Sequence, residues 1–197
     1  MKEGFIFISL ITLISSNLFG IQNPEFEKSK GKGSWMVEWS ENFTNLSIGV
    51  EPENLFILDG IFLVKRHEEN KVLELSGSPV GDFGFLFGPR VKGRAMELQF
   101  SFHSVKQGRR FPAIAAAIGG MRGYRFRWNA SARKILLFRD GALLEENLIP
   151  WESSTWWQVR FQVLPQSLGQ NLIRLKLWQK GTDEPKVWFI EHEDQFL

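Results

Sequence analysis

An all-β sandwich is the fold class this sequence predicts, and three observations predict it. Apolar and polar residues alternate with the two-residue period of half-buried strands over most of the chain. Turn residues interrupt those runs about every 8 to 12 residues, the spacing of sandwiches and barrels. After the N-terminal apolar run, no stretch keeps a helical period for three turns.

The composition agrees. There are 18 Phe and 8 Trp beside a single Tyr, Tyr124, and 18 Gly and 8 Pro serve as punctuation. Aromatic residues fit a pleated, half-buried surface. A chain of 197 residues favours one domain. Its 24 basic and 22 acidic residues leave a net charge of +2, too small to argue for nucleic acid or an anionic membrane as partner. With no Cys, a disulfide framework, a thiolate zinc site and a cysteine nucleophile are excluded.

Phe5 to Phe19 is an apolar run of about 15 residues, at the upper end for the core of an export signal and short for a membrane span. Lys2 and the α-amino group supply the positive charge, and Gly20 is a small cleavage residue. The expected layout is a helical signal peptide over 1–20, a flexible mature N-terminus over 21–33 and one β domain over 34–197. The mature protein would be secreted or periplasmic, with no membrane span.

The strands follow in order. Phe43 to Ile48 and Leu55 to Lys65 are the first candidates, with Asp59-Gly60 as a tight turn. Glu68-Glu69-Asn70-Lys71 is a hairpin tip across which Val72–Leu75 answers Ile61–Val64. Phe83, Phe85 and Phe87 alternate toward a core. Ala95 to His103 is the cleanest strand, with Leu98, Phe100 and Phe102 opposite Glu97, Gln99, Ser101 and His103. Pro112 to Ile118 is a small-residue strand, whose three Ala would let a neighbouring layer come close. Tyr124, Phe126 and Trp128 alternate with Arg125 and Arg127. Lys134–Phe138 and Ala142–Leu148 flank a turn at Asp140-Gly141, and Trp156 to Leu164 follows, in which the adjacent Trp156 and Trp157 face one in and one out. The stretch Leu172 to Asp194 reads as strand, turn and strand, with Lys180–Pro185 as the turn and the second strand resuming at Val187.

The succession of MELQFSFH, an Ala-rich strand, Gly-Tyr-Arg-Phe, Leu-Phe-Arg-Asp-Gly and Trp-Trp-Gln-Val-Arg-Phe, closing on Trp178, Gly181, Glu184-Pro185 and Trp188, resembles the concanavalin A-like lectin/glucanase superfamily. It is most similar to bacterial laminin G-like or 3-keto-disaccharide hydrolase-like domains, over Trp35 to Asp194. The resemblance implies a jelly roll of two curved antiparallel sheets. It also implies a carbohydrate or cell-surface partner, or a hydrolase or lyase acting on a modified disaccharide. Members of this superfamily continue past such a hairpin into a further strand. Here three residues follow Asp194, so the expectation is that N-terminal strands fill that place or that one sheet keeps an open edge, a site for association.

Three strands carry long polar groups at alternate positions. If they are neighbours, Gln99, His103, Gln158, Arg160, Gln162, Arg174, Lys176 and Trp178 form a polar surface with an indole in it. Sugars need that combination, since hydroxyls pair with Arg, Gln and Glu while C–H faces stack on rings. The plainer reading of the same pattern is the solvent face of an antiparallel sheet. A catalytic reading would use His103, Glu97 and Arg160. Glu191 and Glu193 share a strand face about 7 Å apart, near glycosidase spacing, but lack the Glu-x-Asp-x-x-Glu pattern of the laminarinase type. Three scattered His make no zinc site, and no Asp-rich loop supports calcium. No cofactor is expected, since no phosphate loop or dinucleotide fingerprint is present. A third possibility is an interaction module without a small ligand.

Overall fold

The structure is a computed structural model, and it describes residues 6–16, 35–75, 83–167 and 169–195. The fold is all-β, and every strand pairing is antiparallel. Among the described residues the strands are β1 (Ile6–Ser16), β2 (Met36–Glu41), β3 (Phe56–Asp59), β4 (Phe62–His67), β5 (Asn70–Leu75), β6 (Gly84–Leu86), β7 (Ala95–Ser104), β8 (Ala113–Ile118), β9 (Tyr124–Asn129), β10 (Lys134–Arg139), β11 (Ala142–Leu148), β12 (Thr155–Ser167), β13 (Gln170–Gln179) and β14 (Ile190–Gln195).

The main sheet runs β14-β13-β12-β7-β1-β5-β4, with β2 beside the second half of β1. A four-stranded sheet, β11-β10-β9-β8, faces it, and β3 and β6 form a small third sheet. The layers pack sandwich-like because alternation gives each sheet one apolar face. Leu98, Phe100 and Phe102 of β7, Val159 and Phe161 of β12, and Ile173 and Leu175 of β13 are buried against Phe126, Trp128, Ile135 and Leu137 of the facing sheet. Ring contacts join the layers. Phe126 meets Phe161 edge-on at 5.3 Å, and Trp128 meets Trp157 edge-on at 4.7 Å. Phe62 meets Phe85 at 5.1 Å, which ties the third sheet to the same core.

Several expectations are met locally. Phe62 pairs with Leu75 and Val64 with Leu73 across the tip that contains Glu68. Asp140 and Gly141 both have positive φ, 45° and 83°, the backbone that a two-residue type I′ hairpin demands. Of the adjacent Trp156 and Trp157, Trp157 points into the core and Trp156 to the opposite face.

Other expectations are corrected. The run read as a signal-peptide helix is a strand over Ile6–Ser16, in the middle of the main sheet. A continuous apolar run of this length suits a strand buried among neighbours as well as a helix, so periodicity alone cannot separate the two. The cleavage position at Gly20 and the lead-in over 21–33 lie outside the described residues. Phe43–Ile48 is not a strand. Phe43 has φ 62° and opens a tight turn closed by Leu46 N–H to Phe43 O. Asp59-Gly60 does not close a hairpin, because β3 pairs with β6 while β4 pairs with β5. The three Ala of β8 are divided between faces: Ala115 and Ala117 are exposed, and only Ala116 joins Ile114 and Ile118 against the core. The last strand begins at Ile190, not Val187. It leaves β14 as one edge of the main sheet, and the N-terminal strand enters the centre rather than that edge.

Candidate functional site

Alternation on β7, β12 and β13 sends one set of side chains into the core and the other to the outer face of the main sheet. Register then fixes which of the outward groups meet. Gln99 stands opposite Arg160, and Arg160 opposite Lys176. Glu97 stands opposite Gln162, and Gln162 opposite Arg174. Ser101, Gln158 and Trp178 make the next row, and His103 stands opposite Trp156. The eight residues singled out by alternation thus lie on one face of three neighbouring strands.

One end of this face is a closed polar network. The Glu97 side chain, 3% exposed, accepts hydrogen bonds from the Gln99 and Gln162 amides. Arg160 Nε lies 3.1 Å from Glu97 Oε1, at an ion-pair distance but without the alignment of a linear hydrogen bond. Arg160 Nη1 donates to Glu184 Oε1 at 2.7 Å, and Lys176 Nζ donates to the same oxygen at 3.0 Å. Arg174 pairs with Glu191 at 2.7 Å, and the Trp188 ring lies 4.5 Å from Lys176 Nζ. Three cations therefore meet three carboxylates. Burial pushes the Glu184 pKa up, but the Lys176 hydrogen bond and the Arg160 charge outweigh it and hold the carboxyl below its ordinary value.

Glu184 and Trp188 reach this face from the connection between β13 and β14. The strand β14 flanks only Gln170–Leu175 of β13. The connection turns at Thr182, whose N–H and hydroxyl both bind Gln179 O, and rejoins β13 through Phe189 N–H to Leu175 O. The sequence marked Lys180–Pro185 as a turn, but nothing in the local pattern says that the turn folds back over the sheet. For that reason alternation along the strands does not reveal these two residues as members of the face.

The other end of the face is aromatic. His67, His103 and Trp156 form a triangle of rings with centroids 5.2, 5.4 and 5.6 Å apart. Lys180 Nζ lies 5.2 Å from the Trp156 ring, placed there by its own N–H bonding to Trp156 O. Burial first, and then the neighbouring His67, lowers the His103 pKa below the ordinary imidazole value. Trp178 lies diagonal to Trp156 across the pair of strands, a separation of about 7 Å in antiparallel geometry.

The residues of the catalytic reading do not all converge. Glu97 and Arg160 are paired, but His103 lies six residues along the same strand from Glu97, about 20 Å away. The C-terminal acidic cluster is divided between faces. Glu191 is exposed and held by Arg174, and Glu193 is exposed. Asp194 points inward and is 7% exposed. There it accepts the Tyr124 hydroxyl hydrogen bond at 2.7 Å and pairs with Arg139, while Asn171 Nδ2 donates to the Tyr124 oxygen at 3.0 Å. This network joins β14 and β13 to β9 and β10, so Asp194 ties two sheets together rather than fraying at a strand end. Among the described residues, no group of three or more His, Asp or Glu is arranged to hold a metal ion. No family model matches the chain, and no curated protein or solved structure matches it.

Proposed function

We propose that this protein is a non-catalytic binding domain of the concanavalin A-like type, and that its ligand is carbohydrate held on the outer face of β7, β12 and β13. The observation that carries the reading is the open end of that face. Trp156 and Trp178 sit on neighbouring strands with Gln158 and Lys180 interleaved, all partly accessible or exposed. Indoles at this spacing offer stacking surfaces to successive sugar rings, and the amide and ammonium supply hydrogen bonds to hydroxyls. The opposite end already satisfies its own charges, so Arg160, Gln162 and Lys176 act there as a rigid floor. The sandwich-like packing of two antiparallel sheets is compatible with the jelly roll of that superfamily.

A glycan array on the intact protein tests this reading. The expected result is binding to at least one glycan class, reduced about tenfold by Trp178→Ala, since ring stacking contributes about 0.5 to 1.5 kcal/mol beyond its area. Gln158→Ala is expected to weaken the same binding. No binding to any glycan overturns the carbohydrate reading, and binding unchanged in both variants overturns this placement of the site.

Edge association is a second reading, favoured by one observation. Among the described residues the strand β11 pairs with β10 on one side only, and its Leu143 and Leu148 are 54% and 74% exposed. Bare edges with apolar side chains are templates for strand pairing. Concentration-dependent sedimentation that Leu148→Lys abolishes would favour this reading. The hydrolase alternative has less support, because His103 stands about 20 Å along β7 from the Glu97–Arg160 pair that it would have to work with.

A further inference from the structure

The residues that the sequence marks for export are, in the folded protein, the middle of its largest sheet. The strand β1 pairs with β7 from Ile6↔Ser104 to Ser16↔Ala95. On its other side it pairs with β5 through Ile6–Ile8 and with β2 through Ile11–Ser15. The register with β7 shifts between Ile8 and Leu10. That single irregularity lets Ile6, Ile8, Ile11 and Leu13 all face the core although their sequence spacing is uneven. Ile11 is 2% exposed and Leu13 8%. Gly88 is shaped to Leu13, since a Cβ there would lie 2.9 Å from Leu13 Cδ2. At the far end Ser15 and Ser16 are fully buried, and the Ser15 hydroxyl donates to Glu38.

We propose that the gap bounded by β7 on one side and by β5 and β2 on the other is a strand-binding site, and that residues 6–16 of this chain fill it without needing their covalent link to residue 35. The ligand class is an uncharged extended peptide, aliphatic at the four core-facing positions and small, with hydroxyls, at its C-terminal end. Backbone hydrogen bonds on two edges supply affinity, and the core-facing pockets supply selectivity, as in other strand-addition sites. The same segment cannot be a discarded leader and this strand in one molecule. A chain cut after Gly20 that lost the segment would face open edges across one strand's width.

The test uses the full chain with a protease recognition site introduced between Gly20 and Trp35, folded first and then cut. The N-terminal fragment is expected to co-elute with the remainder in gel filtration. A labelled peptide of residues 5–16 is expected to exchange into the cut protein. The same peptide with Ile11→Lys and Leu13→Lys should compete at least about a hundredfold less, because each substitution buries an unpaired charge. A Thr12→Lys peptide, altered on the opposite face, should still exchange. Release of the fragment from a remainder that keeps its circular dichroism and melting point overturns the site. Equal exchange of the Ile11/Leu13 and Thr12 peptides overturns its pockets, and aggregation on cutting overturns the dispensable link. In the uncut chain, Ile11→Lys should lower the melting point and Thr12→Lys should not. Equal melting points in that pair also overturn the proposal.

Discussion

Tyr124 is the single tyrosine in a chain that otherwise uses Phe and Trp for its rings, and its hydroxyl accounts for the choice. It lies 6% exposed, donates to the buried Asp194 carboxylate and accepts from Asn171. Burial and then the Asp194 hydrogen bond push its pKa up. Tyr124→Phe keeps the ring and removes the donor, so it should cost about 1 to 3 kcal/mol in urea unfolding at neutral pH. A cost near zero would mean that Asp194 is served by Arg139 alone. His103 gives a pH signature. Its folded pKa lies below the unfolded value of about 6.5, so the unfolded chain binds more protons in between. Its contribution is therefore fully present above that value and lost as pH falls through the window below it. His103→Gln should flatten the fall in melting point as pH drops below about 6.5, and an unchanged slope would remove His103 as its source.

At the scale of an element, the connection between β13 and β14 behaves as a strap over the polar face, held by Glu184 and Trp188. The Glu184 side chain is 34% exposed, so solvent screens its pairs with Arg160 and Lys176. Glu184→Gln should accordingly change global stability by less than about 1 kcal/mol while speeding hydrogen exchange at Lys180–Phe189. Because the folded pKa of Glu184 is depressed, the strap should stay closed at neutral pH. It should open only as pH falls through that depressed value, below the ordinary carboxylate range. Exchange in this segment that ignores both the substitution and acid would show that Trp188 and the backbone bonds suffice. The late start of β14 has the same origin. Val187 and Trp188 have strand-like side chains, but Val187 is 78% exposed, and Trp188 is used against Lys176 rather than in a ladder.

For the whole molecule, stability depends on rings interlocked between sheets rather than on either sheet alone. Trp128 is fully buried between Phe102 and Trp157, and Phe161 is fully buried against Phe126. Phe161→Ala should cost about 3 to 5 kcal/mol by leaving a cavity that neither pleated layer can collapse to fill, read as a shifted urea midpoint with unchanged slope. A loss below about 1 kcal/mol would mean that the layers slide to close the void. The carbohydrate and strand-binding proposals occupy different parts of this architecture. One uses the outer face of β7, β12 and β13, and the other the edges of β7 and β5. Loss of glycan binding in Trp178→Ala would therefore leave peptide exchange untouched.

The alternation Leu98-Phe100-Phe102 against Glu97-Gln99-Ser101-His103 by itself determined a strand, its core face and its polar face, because a period of two is a local property of the backbone. The same logic made β9, β10, β12 and the first half of the final hairpin legible, as well as the Asp140-Gly141 turn. It also placed Gln99, Gln158, Arg160, Gln162, Arg174, Lys176 and Trp178 on outward faces. That those faces belong to adjacent strands, that Glu97 and His103 stand at opposite ends, and that Asp194 turns inward to Tyr124 are matters of register and long-range pairing, which no local pattern encodes. Tertiary structure alone decided two further points. Glu184 returns to the sheet because β14 leaves half of β13 unflanked. Residues 6–16 are a strand because β7 on one side, with β5 and β2 on the other, satisfies their backbone groups. An apolar run in isolation has no partner for those groups, and a helix satisfies them within itself.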